Sequence, residues 1–310
     1  MNITSFQAFL GRSVVTFLAV AGFALLAWAD ATSLWGAPSG WWLMPVAIAV
    51  TVAGVDELAK LFSARSLPLP DWVLRPGAVA VVLAAALGSP APAAMPMAAM
   101  SLPAVAFMAV MIAVMLREIA AYDGAGRGVD RLAASVLVVA YVGFGMAFVV
   151  ALRYVCVEQV GVEETAAGHL GIVPLASLVA AVKGGDIAAY LVGSLVGRHR
   201  MAPRLSPGKT WEGAAASVAA SALVAWIVIE WAAPGIAARP LGGAVGYGLA
   251  VGVAGLLGDL AESFLKRELG AKDSGRSLAA LGGVLDLADS LLLAAPVAWI
   301  LWVVRLPIPG

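Results

Sequence analysis

The chain has 310 residues, of which 62% are hydrophobic and 12% charged, with a formal net charge of zero. That balance excludes an ordinary soluble domain and leaves no basic footprint for nucleic acid. One cysteine, Cys156, excludes an intramolecular disulfide or a cysteine cluster. Two histidines, His169 and His199, are too few for a histidine metal centre. Any metal bound here must take oxygen ligands, which favours Mg²⁺ or a similar hard cation.

Long apolar runs recur from end to end, so the expected fold is all-α: a polytopic integral membrane helical bundle of about nine transmembrane helices. A membrane barrel would show polar and apolar residues in alternation instead. The expected spans lie near 12–29, 41–58, 76–94, 97–116, 132–152, 168–195, 212–232, 241–260 and 285–305. Arg12 is a thin basic flank and no clear cleavage site precedes Asp30, so the first run is read as a span and not a signal peptide. The second carries Asp56 and Glu57 at its end, and the third is broken by Pro90 and Pro92.

Cation placement gives an orientation. With the N-terminus in the cytoplasm, the inner side holds Arg12, Lys60, Arg65, Arg75, Arg117, Arg127, Arg131, Arg198, Arg200, Arg204, Lys209, Lys266, Arg267, Lys272 and Arg276. Arg153, Arg239 and Arg305 fall outside and Lys183 within a span, which accounts for all 19 lysines and arginines. The C-terminus is then outside, as is the acidic segment Glu158, Glu163, Glu164. Both charged segments, 196–211 and 260–284, face the cytoplasm, where soluble nucleotides are found. The expected location is the cell inner membrane.

No repeat of 20 to 50 residues is visible and no linker splits the chain. Residues 1–165 form about five spans without a polar constellation inside them, so they read as scaffold or as the wall for a lipid tail. Residues 166–310 carry the chemistry.

In the sixth span Lys183 and Asp186 are three apart and share a helix face. Ionisable residues in a span usually serve a site, though a structural ion pair is the bland alternative. Gly184, Gly185, Gly193 and Gly197 suit close helix packing. Next comes Ser206-Pro207-Gly208-Lys209-Thr210-Trp211-Glu212-Gly213, in which Pro207 and Gly208 predict a turn. Ser206, Lys209 and Thr210 offer hydroxyls and an ammonium for a phosphate. Equally, Thr210 could cap the seventh span and Trp211 anchor it. His199, among arginines, reads as surface.

The densest charge lies in Gly258–Ser290, with ten charges in 33 residues. Asp259 ends the eighth span, and Asp286 and Asp289 begin the ninth on one face. Three carboxylates at one depth could hold one or two divalent cations. Pairing with Lys266, Arg267 and Lys272 is the alternative. Glu262 and Glu268 read as solvated loop charges. Gly282 and Gly283 place bare backbone beside Asp286, where phosphate oxygens could approach a helix start.

Residues 263–289 resemble the signature of the phosphatidate cytidylyltransferase (CDP-diacylglycerol synthase) family, S-x-apolar-K-R-x4-K-D-x-small followed by H-G-G-x-x-D-R-x-D. The matching positions are Ser263, Lys266, Arg267, Lys272, Asp273, Gly275, Gly282, Gly283, Asp286 and Asp289. Gly258-Asp259 and the Ser206–Gly213 stretch fit as well, with Asp186 and Tyr190 upstream. Leu281 stands where the family has His, Leu287 where it has Arg, and Ala279 where Pro or Gly is usual.

The resemblance implies a metal-dependent nucleotidyltransferase that moves CMP from CTP to phosphatidic acid, giving CDP-diacylglycerol and pyrophosphate for phospholipid synthesis. It implies Asp259, Asp286 and Asp289 on Mg²⁺, with Asp186 a candidate fourth ligand. Lys209, Lys266, Arg267 and Lys272 would hold phosphates, and Ser206, Thr210, Ser263, Gly282 and Gly283 would make polar contacts. Asp273 either orients Lys272 or joins a second metal. The alternatives are a CTP-using transferase or kinase acting on another lipid, and an ion-coupled transporter. A transporter should show broken helices in both halves. Glycine faces permit a homodimer without requiring one.

Overall fold

The computed structural model describes residues 22, 24–38, 40–88, 96–122, 124, 126–155, 171–231, 239–271 and 283–304. A helical segment over 24–31 leads into α1 (Met44–Ala64), α2 (Asp71–Gly88), α3 (Ser101–Ala120) and α4 (Gly128–Leu152). Then follow α5 (Val173–Val196), a hairpin of β1 (Arg200–Ala202) and β2 (Ser206–Thr210), α6 (Trp211–Trp231), α7 (Gly243–Glu268) and α8 (Val284–Val303). Among the described residues, α2 through α8 are seven helices long and apolar enough to cross a membrane. The protein is a polytopic helical membrane bundle.

These seven match the expected third to ninth spans. Most of the expected first span lies outside the described residues. The expected second is the helix α1, but it runs on to Ala64 and so carries Asp56, Glu57 and Lys60 inside it. Pro90 and Pro92 lie outside the described residues, past the end of α2.

Small residues let the back-half helices approach closely. A methyl group at Gly185 would lie 2.4 Å from Ser221 Oγ on α6, and one at Gly252 would lie 2.8 Å from Ser221 Cβ. Ser221 Oγ itself donates to Ala181 O on α5 at 2.9 Å, which satisfies the hydroxyl inside this three-helix seam. Trp302, Tyr247, Leu178 and Ile229 fill the core behind it.

A second core joins α1, α2 and α4 to the first turns of α8 through Leu285, Ala288 and Leu292. Helices α4 and α8 run parallel there. A methyl at Gly54 of α1 would touch both Val142 (3.1 Å) and Leu285 (3.9 Å), and one at Gly145 would meet Leu292 Cβ at 3.0 Å. Progress along α4 therefore runs with progress along α8.

Three expectations are corrected. The front half does contain polar groups inside its helices. Glu57 and Thr51 on α1 are buried, Asp30 forms a buried pair with Arg153, and Glu118 on α3 is bound by Arg117 and Arg131. Helix α7 runs eight residues past position 260, because Gly270, at φ +75°, is where the chain first turns away. Pro207 and Gly208 are not a turn but part of β2; the turn is made by residues 203–205.

Candidate active site

The longer α7 changes what its charges are. Asp259, Glu262, Ser263, Lys266 and Arg267 all belong to one helix, and the spacing of 259, 262 and 266 puts three of them on one side. Glu262 is buried at 2% exposure and is not a solvated loop charge. It pairs with Lys266 at 2.8 Å through Oε2, while its Oε1 has no hydrogen-bond donor among the described residues. Glu268 is exposed, at the end of the helix.

Lys266 is the hinge of the cluster. The same ammonium reaches Asp286 Oδ1 on α8 at 2.7 Å. Asp286 also accepts from Gly283 N–H at 3.0 Å, closing the first turn of its own helix. The hairpin delivers a second cation: Lys209, near the end of β2, lies 2.8 Å from Asp259 Oδ1. Arg267 reaches from α7 to Leu205 O at 3.4 Å, tying that helix to the hairpin turn.

Asp289, one turn beyond Asp286, is buried at 4% exposure. Its Oδ1 accepts from Ser290 N–H at 2.6 Å and from the Ser290 hydroxyl at 3.2 Å. Among the described residues it has no ion-pair partner. Charges close enough to act on it electrostatically include Asp259, Lys183, Asp186 and Glu262. Lys183 and Asp186 are paired to each other at 3.0 Å on α5. Helices α7 and α8 are in contact at this level, since a methyl at Gly258 would fall 2.7 Å from Asp289 O.

The structure thus brings together Asp186, Lys209, Asp259, Lys266, Asp286 and Asp289, with Ser206 and Ser263 half-buried on β2 and α7. Thr210 takes the capping role: its hydroxyl accepts from Gly213 N–H at 3.1 Å and opens α6. His199 is exposed and pairs with Glu212. Tyr190 is 76% exposed, and Leu287 40%. Lys272, Asp273, Gly275, Leu281 and Gly282 lie outside the described residues. Among the described residues no three carboxylate, histidine or cysteine side chains are gathered as a ready metal site.

Two front-half residues that the sequence did not single out belong to this neighbourhood. Glu57, 1% exposed on α1, accepts from Val284 N–H at 2.9 Å and Leu285 N–H at 2.8 Å. It supplies from another helix the cap that Gly283 cannot, and so fixes the start of α8. Tyr141, on a π-helical turn of α4 (Val139–Phe144), faces Asp289, Glu262 and Asp259. An acidic residue near the end of an apolar run was the visible signal for Glu57; its partner could not be read.

A family model described as "Cytidylyltransferase family" matches residues 11–304. The chain belongs to the cytidylyltransferase family. Its relatives include the phosphatidate cytidylyltransferase of Brucella suis biovar 1 (strain 1330), 45% identical over 134 residues, which are 42% of this chain and 47% of the relative. The phosphatidate cytidylyltransferase of Mycobacterium leprae (strain TN) is 39% identical over 39% of this chain and 38% of its own. The "Uncharacterized protein YnbB" of Escherichia coli (strain K12) is 41% identical over 39% of each. The chain spans less than half the length of these curated relatives.

Proposed function

We propose that the chain transfers CMP from CTP to phosphatidic acid, forming CDP-diacylglycerol and releasing pyrophosphate. The observation that carries this reading is the cluster itself. Two lysines sit on carboxylates they can exchange for phosphate, beside a buried aspartate that has no ion-pair partner among the described residues. A lipid phosphate oxygen attacks the α-phosphorus, and the bond from that phosphorus to the bridging oxygen of the β-phosphate breaks. The nucleophile is already an anion, so no strong general base is needed. The barrier lies in bringing two anions together and stabilising the leaving pyrophosphate.

In this reading Lys209, Lys266 and Arg267, with Lys272, bind the triphosphate and the lipid phosphate. Ser206 and Ser263 add hydroxyl contacts. The donor set fits a hard divalent cation: all-oxygen, with Asp289 buried and without an ion-pair partner among the described residues, near Asp259 and Asp186. Asp259, Asp286 and Asp289, with Asp186, would hold Mg²⁺, one ion or two. When bound, Mg²⁺ would screen the reacting phosphates from each other and neutralise charge on the leaving group. Asp259 and Asp289 are the readier pair, because Asp286 also caps α8. The acyl chains stay in the bilayer, entering between helices. With the N-terminus in the cytoplasm, the cluster opens toward cytoplasmic CTP, which suits a bacterial inner membrane.

The test is radiolabelled CTP given to purified protein with phosphatidic acid and with a panel of other lipid phosphates. Label should enter CDP-diacylglycerol only with phosphatidic acid and a divalent cation. Asp286→Asn should abolish that incorporation while the protein still inserts. Label appearing on another lipid, or as a phosphorylated lipid, would overturn the substrate assignment.

A further inference from the structure

Tyr141 is a buried polar group that the proposed reaction has not used. Its side chain is 9% exposed, and its hydroxyl has no hydrogen-bond partner among the described residues. Buried hydroxyls are normally satisfied, because leaving one unpaired costs folding free energy. A hydroxyl without a partner among the described residues, placed beside a charged cluster, has a free donor to offer a group that arrives from outside.

The fold fixes where that partner would be. Gly145 of α4 packs on Leu292 of α8, and the two helices run parallel. One turn back on each puts Tyr141 level with Ala288 and Asp289. The residue lies on a π-turn, the local distortion by which a helix shifts the face it presents and one that recurs at functional sites. The charges it faces are the carboxylates of Asp289, Glu262 and Asp259. A donor near carboxylates that already have lysines, or that await a cation, can serve an acceptor arriving among them. In this cluster the arriving acceptor is a phosphate.

We infer that the Tyr141 hydroxyl donates a hydrogen bond to a phosphoryl oxygen of bound substrate, making the front half of the chain part of the binding site. Depth favours the lipid phosphate over the nucleotide. Tyr141 is level with Asp289, one turn further along α8 than Asp286, the carboxylate that Lys266 holds. This inference rests on the proposed reaction only for the identity of the substrate.

The test is Tyr141→Phe in the full chain, purified in detergent. It removes only the hydroxyl. Its thermal midpoint should be equal to the wild type's or higher, since an unpaired group is lost. Binding of labelled phosphatidic acid, measured without CTP, should weaken about ten- to hundred-fold, and the KM for phosphatidic acid should rise alike with the KM for CTP unchanged. A rise in the CTP KM alone would keep the phosphate contact and move it to the nucleotide. Unchanged binding and unchanged KM values would overturn the inference, whether the midpoint holds or falls. If the wild type makes no CDP-lipid, the proposed reaction fails, and the binding comparison still decides Tyr141.

Discussion

Glu118 and Asp289 are both carboxylates almost withdrawn from solvent, and they are held in opposite ways. Glu118 gives each oxygen its own guanidinium, Arg117 on one side and Arg131 at 2.7 Å on the other. Among the described residues Asp289 has only the hydroxyl and amide of the next residue, and the lysines near it are engaged with other carboxylates. Arginine forks make fixed, planar pairs that lock α3 to α4; lysine ammoniums are point charges that can change partner. The Glu118 carboxylate is saturated by its guanidiniums, whereas around α7 and α8 Glu262 Oε1 and the Tyr141 hydroxyl lack hydrogen-bond partners among the described residues. That difference locates the site better than charge density does.

The comparison can be broken by substitution. Asp289→Asn should leave insertion and thermal midpoint near wild type, yet lower kcat for CDP-lipid formation by about 10²- to 10³-fold; wild-type turnover would make Asp289 a packing residue. Arg131→Ala should do the reverse. It strips one partner from a buried carboxylate, costing about 3 kcal/mol of stability, and leaves the KM values of whatever still folds unchanged. Glu57→Gln should sit between the two. An amide keeps one acceptor for two N–H groups, so about 1–3 kcal/mol is lost, and kcat falls because Asp286 and Asp289 ride on the helix start that Glu57 fixes. A midpoint shift with kcat intact would show that the cap does not position the site.

Smaller effects sharpen the same contrast. Lys209→Ala should raise the KM for one phosphate substrate by about ten-fold; unchanged kinetics would make Lys209 only a partner for Asp259. Thr210→Val should cost about 1 kcal/mol in thermal unfolding through the lost cap and leave both KM values alone. A raised KM would return the Thr210 hydroxyl to the substrate.

Much of this was legible in the residues. Apolar run length placed seven of the helices, and i, i+3 spacing placed Asp286 and Asp289 together on α8. What the sequence hid were long-range partners. Glu262 read as a loop charge because α7 was expected to stop at residue 260; only the helix's continuation to Glu268 turns it inward against Lys266. Glu57 read as the polar end of a span because nothing local reveals that its donors are the backbone N–H groups of residues 284 and 285. Tyr141 carried no signal, since a tyrosine in an apolar run reads as packing. The hairpin was missed because Pro207-Gly208 is a turn signal, and here β2 carries the pair past the turn.

The most direct test of the central claim, that the cluster on α7 and α8 performs cytidylyl transfer, is pyrophosphate release by the purified full chain. CTP alone should give none; CTP with phosphatidic acid and Mg²⁺ should give steady release that Asp289→Asn slows by about 10²- to 10³-fold. Release without phosphatidic acid, or release undiminished in Asp289→Asn, would contradict it.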